Sequence, residues 1–199
     1  EYRRQRQMCI RDSFELGASG KYSWLIWSLQ SYRTTGNNLL GYTDDYSTKI
    51  NTSSALIQGL ELFLEGDLGK LKTKVNYTLQ DPRNQEVGTN HNHILLRRSR
   101  ESGRINIGYT LKQALLSTNI NYVGPRFDNS ANTIRMGGYA TIDILANITM
   151  SSTPGLSLQA KVGNILDRDY TTTTLYSPSF PFKQEGRSVY LTLRYQPKK

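Results

Sequence analysis

The sequence predicts an all-β fold, an antiparallel meander of nine strands of the kind that builds transmembrane β-barrels. Three observations predict it. Apolar and polar residues alternate with period two along nearly the whole chain, the mark of strands with one apolar and one polar face. Connections alternate between short turns and longer polar loops, which an up-and-down membrane barrel places at opposite ends. The polar phase also carries charge at Lys72, Lys74, Arg104, Lys161 and Arg194, which a large barrel turns toward a wet lumen.

The strands follow in order. Residues 14–19 form a short first strand ending at the turn Gly20-Lys21-Tyr22-Ser23. Residues 24–40 form a long second strand, with Leu25, Trp27 and Leu29 in one phase. Residues 46–65 place Leu60, Leu62 and Leu64 outward and Gly59, Glu61 and Phe63 on the other side. The turn Gly66-Asp67-Leu68-Gly69 leads to residues 70–80, where Leu71, Thr73, Val75, Tyr77 and Leu79 oppose Lys72, Lys74, Asn76 and Thr78. After a polar loop at 81–93, residues 95–111 oppose Ile105, Ile107, Tyr109 and Leu111 to Arg104, Asn106, Gly108 and Thr110. A tight turn at Lys112-Gln113 gives residues 114–123, with Leu116, Thr118, Ile120 and Tyr122 in the apolar phase. A loop at 124–132 precedes residues 133–150, in which Ile142, Ile144, Ala146, Ile148 and Met150 alternate with polar residues. Ser152-Thr153-Pro154-Gly155 is a turn signature before residues 156–162. A last loop at 171–185 leads to the closing strand, where Val189, Leu191, Leu193 and Tyr195 oppose Tyr190, Thr192 and Arg194.

Composition narrows the class. The chain has 199 residues, 37% of them hydrophobic, and a mean hydropathy of −0.55, far from the ~18 consecutive apolar residues of a spanning helix. The net charge of +9 is spread over many segments and interleaved with Asp and Glu, so no nucleic-acid surface is expected. Trp24, Trp27, Tyr77, Tyr109, Tyr122 and Tyr195 lie near strand ends or in the apolar phase, where membrane girdles place aromatic rings. Residues 1–13 have neither strand nor helix periodicity and read like a translated sequencing adapter; the expected domain is 14–199, without the sole cysteine, Cys9. The chain lacks a Met start and a signal peptide, and reads as part of a longer protein.

No enzymatic chemistry is expected, because no nucleophile, base and orienting acid share a local motif. The only histidines, His91 and His93, sit in a polar loop without a Cys or carboxylate cluster and read as solvated, so no metal site is expected either.

The chain also carries a family likeness. The run Val162-Gly163-Asn164-Ile165-Leu166-Asp167-Arg168-Asp169-Tyr170, followed by a strand opening at Gly186-Arg187, resembles the penultimate-strand motif and final strand of TonB-dependent outer-membrane receptors. Gln58-Gly59-Leu60-Glu61, and Tyr77-Thr78 followed by Leu95-Leu96-Arg97-Arg98, resemble two further barrel motifs of that family. The likeness covers residues 14–196. Within the family, Leu95-Leu96-Arg97-Arg98 and Ile134-Arg135-Met136-Gly137-Gly138 look most like the cobalamin (vitamin B12) receptors.

The resemblance implies that these nine strands are the C-terminal part of a barrel of roughly 22 strands, with short periplasmic turns, longer extracellular loops and a plugged lumen. It implies a Gram-negative outer-membrane location, lipid around the barrel, and assembly by the barrel assembly machinery as a monomer. Coupling to TonB-ExbB-ExbD would run through an N-terminal plug that these residues do not include. The implied activity is uptake of a bulky scarce nutrient, preferably cobalamin, with no cofactor; a siderophore or haem receptor is the alternative. A self-contained small structural or adhesion barrel is the reading from another class, and an odd strand count opposes it. Such barrels commonly end on an aromatic residue, whereas here Tyr195 is followed by Gln196-Pro197-Lys198-Lys199. The phase of Ile105 and Ile107 puts Arg98, Arg100 and Arg104 on the lumen side. Arg98 and Arg100, nearest the long loop, are therefore candidate ligand contacts, together with the loop aromatics Tyr170, Tyr176, Phe180 and Phe182.

Overall fold

A computed structural model describes residues 10–42, 49–174 and 181–196. Among these residues every regular element is a strand. The long sheet contains β1 (Ile10–Tyr22), β2 (Leu25–Tyr42), β3 (Lys49–Leu68), β4 (Leu71–Asn84), β5 (Glu101–Leu111), β6 (Ala114–Val123), β9 (Tyr139–Thr149), β10 (Leu156–Gly163) and β11 (Ser188–Tyr195). All nine pair antiparallel with their chain neighbours, in the order predicted by the alternation. Among the described residues the one detour is a small hairpin of β7 (Arg126–Phe127) and β8 (Arg135–Met136) inside the β6–β9 loop.

The sheet buries almost nothing against itself. Among the described residues the buried apolar side chains are few, Ala55, Pro82, Ile94 and Met136. Leu29, Leu60, Leu79, Ile105, Ile107, Leu116, Ile144 and Leu191 all stand exposed, and the register aligns this phase across strands, with Leu29 opposite Leu62 and Ile105 opposite Ile120. The other face is polar and internally paired. Glu65 lies directly opposite Lys74 and binds it at 3.2 Å, Asp67 opposite Lys72 at 3.3 Å, and Lys161 reaches Asp143 at 3.7 Å. Exposed pairs of this kind each contribute about 0–1 kcal/mol. Their value is to keep charge on one face of the sheet. A water-soluble sandwich would hide the apolar face; here it is the outer surface, which only lipid can cover.

Strand lengths agree. β5, β6 and β9 have 11, 10 and 11 residues, close to the ~9–11 needed to cross a hydrocarbon layer at a tilt. β2 and β3, at 18 and 20 residues, extend well beyond that layer on the long-loop side.

Five boundaries named here differ from the sequence expectation. The first two short turns sit further along, at Ser23-Trp24 and Gly69-Lys70, because Gly20 and Gly66 are strand residues rather than turn residues. A β-carbon at Gly20 would come within 3.0–3.1 Å of the Trp27 indole, and the Trp24 ring lies 3.5 Å from the corresponding position of Gly66. These glycines make room for girdle rings. β5 begins at Glu101, not at 95, and β9 at Tyr139, not at 133, because residues 95–100 bond to the end of β4 and, through Arg97, to Phe127, while residues 134–136 pair with 126–128 in their own loop. β1 begins at Ile10, so residues 10–13 of the segment read as foreign pair with Asn37 to Thr34. Main-chain pairing is indifferent to a segment's origin.

Replacing Ile107 by Arg should destabilise the full-length barrel by about 2–4 kcal/mol, the cost of a guanidinium at mid-bilayer. Arg in place of its neighbour Asn106 should cost far less. Denaturant unfolding in lipid vesicles measures both.

Candidate functional site

The long loops at one end of the sheet are the candidate site, and their geometry starts from the turn that ends β10. Asn164 and Asp167 both adopt the left-handed conformation (φ +48° and +51°), which Asn and Asp tolerate better than other side chains. The Asn164 side chain closes the turn on Arg168, accepting from its amide and donating to its carbonyl, both at 2.9 Å. The Asn164 amide donates to Asp143 on the neighbouring strand at 2.9 Å. Asp167 then accepts from the Arg187 amide at 2.8 Å, which fixes where β11 starts. Its carboxylate lies so close that a β-carbon on Gly186 would sit 2.8 Å from Oδ1. The spacing of Asn164, Asp167 and Gly186-Arg187 is thus the geometry of one closing turn.

Beyond that turn, three loops are tied together through Asp128, whose side chain is completely buried. It accepts from Arg97 Nε in the β4–β5 loop. It also accepts from the Thr173 hydroxyl at 3.1 Å, the Thr174 hydroxyl at 2.6 Å and the Thr174 amide in the β10–β11 loop. Burial alone would raise this carboxyl; the hydrogen bonds from Thr174 and Arg97, with the charge of Arg97, outweigh it and hold the group below the usual carboxylate range. Asn132, at φ +57°, docks on Ile94 like a strand partner, accepting its amide at 2.8 Å and donating to its carbonyl at 2.9 Å. Arg126 donates to the Thr171 and Thr172 carbonyls at 2.9 and 3.1 Å and lies 5.6 Å from the Tyr139 ring centroid.

The predicted site residues fall in several places. Arg98 points to the polar face, where it lines a cavity of about 480 Å³ with Glu15, Gln30, Tyr32, Glu61 and Gln80. Arg100 does not join it. Its Nε lies 3.3 Å from Asp81 Oδ1, in the phase of Tyr77 and Leu79 on the outer face. The lumen-side expectation for Arg100 fails because residues 95–100 are a turn, and strand alternation cannot be extrapolated through it. Tyr170 stacks on Tyr139 at 4.1 Å between centroids, and both line a polar cavity of about 650 Å³ with Asn76, Arg104 and Asn121. Burial first, then neighbouring Tyr139, Asp143 and Glu185, push the Tyr170 phenol up, so it stays neutral near pH 7. Phe182 is half exposed and pairs through its backbone with Thr172 and Thr173. Tyr176 and Phe180 lie outside the described residues. The ring nitrogens of His91 and His93 contact different carbonyls, of Glu86 and Ser130, and the described residues hold no cluster of three metal donors.

Asp128, Arg126 and Asn132 were not singled out from sequence. They sit in a polar loop, and a buried acid there looks the same in one dimension as a solvated one.

Comparison with known proteins agrees with this geometry. The family model described as TonB dependent receptor-like, beta-barrel, matches residues 11–165. The vitamin B12 transporter BtuB of Photobacterium profundum is 27% identical over 191 residues, 92% of this chain and 30% of that protein. The vitamin B12 transporter BtuB of Vibrio vulnificus is 32% identical over 149 residues, 75% of this chain and 23% of that protein. The chain therefore spans under a third of the length of these relatives. Among solved structures, the ferric yersiniabactin uptake receptor FyuA from Yersinia pestis superimposes with a TM-score of 0.79 at 19% identity, over 94% of this chain and 30% of that one. The siderophore receptor PiuA from Acinetobacter baumannii gives 0.78 at 21%, over 93% and 28%. These two show the fold.

Asp128→Ala should release the loops from one another at a local cost of roughly 3 kcal/mol, speeding hydrogen exchange at the Thr174 amide by about a hundredfold. Because the folded carboxyl titrates below its unfolded value, its stabilisation is complete above about pH 4 and lost as pH falls through the lowered folded pKa. Thr174 protection should therefore stay level from neutral pH down to about pH 5 and collapse only in stronger acid.

Proposed function

As the chain belongs to the TonB-dependent receptor β-barrel family, we propose that it forms the C-terminal wall of an outer-membrane receptor that imports cobalamin. The observation that carries the ligand is the match to two vitamin B12 transporters over 92% and 75% of the chain. In this reading the barrel is a monomer surrounded by lipid and folded in by the barrel assembly machinery. The nutrient enters from the long-loop side, and TonB-ExbB-ExbD drives release through a plug supplied by residues outside this chain. The wall performs no covalent chemistry and uses no resident cofactor. Residues 1–13 are foreign to it.

Of the candidate contacts, Arg98 and Tyr170 suit a large amide-rich ligand. Arg98 offers a guanidinium on the lumen side, and Tyr170 is held in place by its stack on Tyr139. Tyr176, Phe180 and Phe182 belong to the same loop, through which the ligand passes. The loops tied at Asp128 supply a fixed rim for that passage, which lowers the ordering cost of binding.

Binding of labelled cyanocobalamin, haemin and ferric siderophores to outer membranes carrying the full-length receptor tests this. Saturable cobalamin binding, weakened several-fold by Arg98→Gln and Tyr170→Ala, is expected. Binding of haemin or a ferric siderophore with none of cobalamin contradicts it.

A further inference from the structure

Alternate residues at β7 face the β10–β11 loop. Arg126 and Asp128 lie two apart, hence on one side of an extended chain, and both bind residues 171–174. Arg126 Nη2 donates to the Thr171 and Thr172 carbonyls at 2.9 and 3.1 Å. Asp128 accepts from the Thr174 amide and from the Thr173 and Thr174 hydroxyls. A donor meets acceptors at one position and an acceptor meets donors two residues on, which seats the loop in one register.

Arg126 is the costlier of the two to bury. Only 6% of it is exposed. Among the described residues it has no carboxylate in ion-pair reach: Asp128 takes Arg97, Asp143 takes Lys161 and Asp169 takes Lys183. Its Nη1 is buried without a hydrogen-bond partner. A desolvated guanidinium lacking a counter-ion carries a large penalty, and an apolar side chain of similar volume would fill the same space without it. What Arg126 adds beyond filling space is its two carbonyl bonds and its contact with an aromatic ring.

Both contacts converge on Tyr170. Thr171 and Thr172 follow it directly, so the carbonyl bonds fix the main chain just beyond its Cα. The guanidinium carbon lies 5.6 Å from the Tyr139 ring centroid, and Tyr139 stacks on Tyr170 at 4.1 Å with 28° between the planes. Gly138 makes this approach possible. A β-carbon there would sit 2.9 Å from the Val123 carbonyl oxygen and 3.1 Å from the Pro125 nitrogen, so glycine lets the start of β9 lie against the chain leading into Arg126. The stacked rings line the polar cavity of about 650 Å³ and also a neighbouring one of about 370 Å³ bounded by Met136, Arg168 and Lys183. Tyr170 stands where the two cavities meet, and a shift of its ring alters both.

We propose that Arg126 is a positioning residue for Tyr170, holding its ring through Tyr139 on one side and its main chain through the Thr171 and Thr172 carbonyls on the other. The consequence for uptake rests on the reading of Tyr170 as a ligand contact. Arg126 itself touches no ligand in this account; it acts through the ring it holds.

The test places a ring-fluorinated tyrosine at position 170 of the full-length receptor in lipid vesicles and follows it by fluorine NMR. The wild type should give one resonance displaced from that of an exposed tyrosine by the facing ring. Arg126→Met should move it toward the exposed position, and Arg126→Lys, which keeps the charge and a donor for the carbonyls, should restore it in part. Labelled cyanocobalamin binding should weaken several-fold in Arg126→Met, and adding Arg126→Met to Tyr170→Ala should weaken it no further, because the two substitutions remove one contact. Should Arg126→Met lack the heat-modifiable gel band of a folded barrel, Arg126→Gln takes its place with the same expectations. A resonance unmoved by loss of Arg126, or binding losses that add in the double variant, would overturn the proposal. A resonance that moves while neither Arg126→Met nor Tyr170→Ala alters cobalamin binding would uphold the positioning and remove Tyr170 from the ligand contacts.

Discussion

Apolar side chains on this sheet have no protein to meet. Leu60, Ile105, Ile107 and Ile144 are exposed on one face, while the opposite face carries Lys72, Lys74, Asp143 and Lys161 in ion pairs. Lipid is the only solvent that accepts the first face, and lipid provides no partner for a bare amide or carbonyl. The ladder must therefore satisfy every main-chain group across the wall, so the two outer strands, β1 and β11, require neighbours from the rest of a closed barrel. Strand tilt, the charged lumen face, the girdle rings of Trp24 and Trp27 and the separation of short turns from long loops all follow from that requirement.

The wall in turn determines what the loops can be. Register passes continuously from β1 to β11, so the ends of β4, β6 and β10 are fixed in space by the wall and not by the loops between them. Short polar side chains then finish the work locally. Asn164 and Asp167 close one turn, Asn132 extends pairing onto Ile94, and Asp128 gathers Arg97, Thr173 and Thr174 into a buried centre. A rim assembled this way holds Tyr170 against Tyr139 and Arg98 over the polar face in a fixed arrangement, so a ligand bound there would spend little on ordering the loops.

The wall was legible in one dimension because period two is a property of neighbouring residues. Leu71 to Leu79 or Ile105 to Leu111 report their own facing, and nine strands in serial order emerged from that alone. Legibility failed where facing depends on a distant partner. Gly20 and Gly66 look like turn residues until the rings over them are seen. Residues 95–100 continue the alternation on paper but turn back onto the end of β4 and reach Phe127 through Arg97, which reversed the placement of Arg100 while leaving Arg98 where it was expected. Asp128 shows no local sign of burial, since the groups that bind its side chain lie 31 or more residues away.

Facing is thus the claim on which everything else rests, and it is directly measurable. Single nitroxide labels at positions 103 to 109 of the full-length receptor in lipid vesicles would be scored for collision with oxygen, which concentrates in hydrocarbon, and with a nickel chelate confined to water. The account predicts oxygen-accessible labels at 105, 107 and 109 alternating with nickel-accessible or plug-shielded labels at 104, 106 and 108. Nickel access at the odd positions, or no alternation between the two sets, would contradict it.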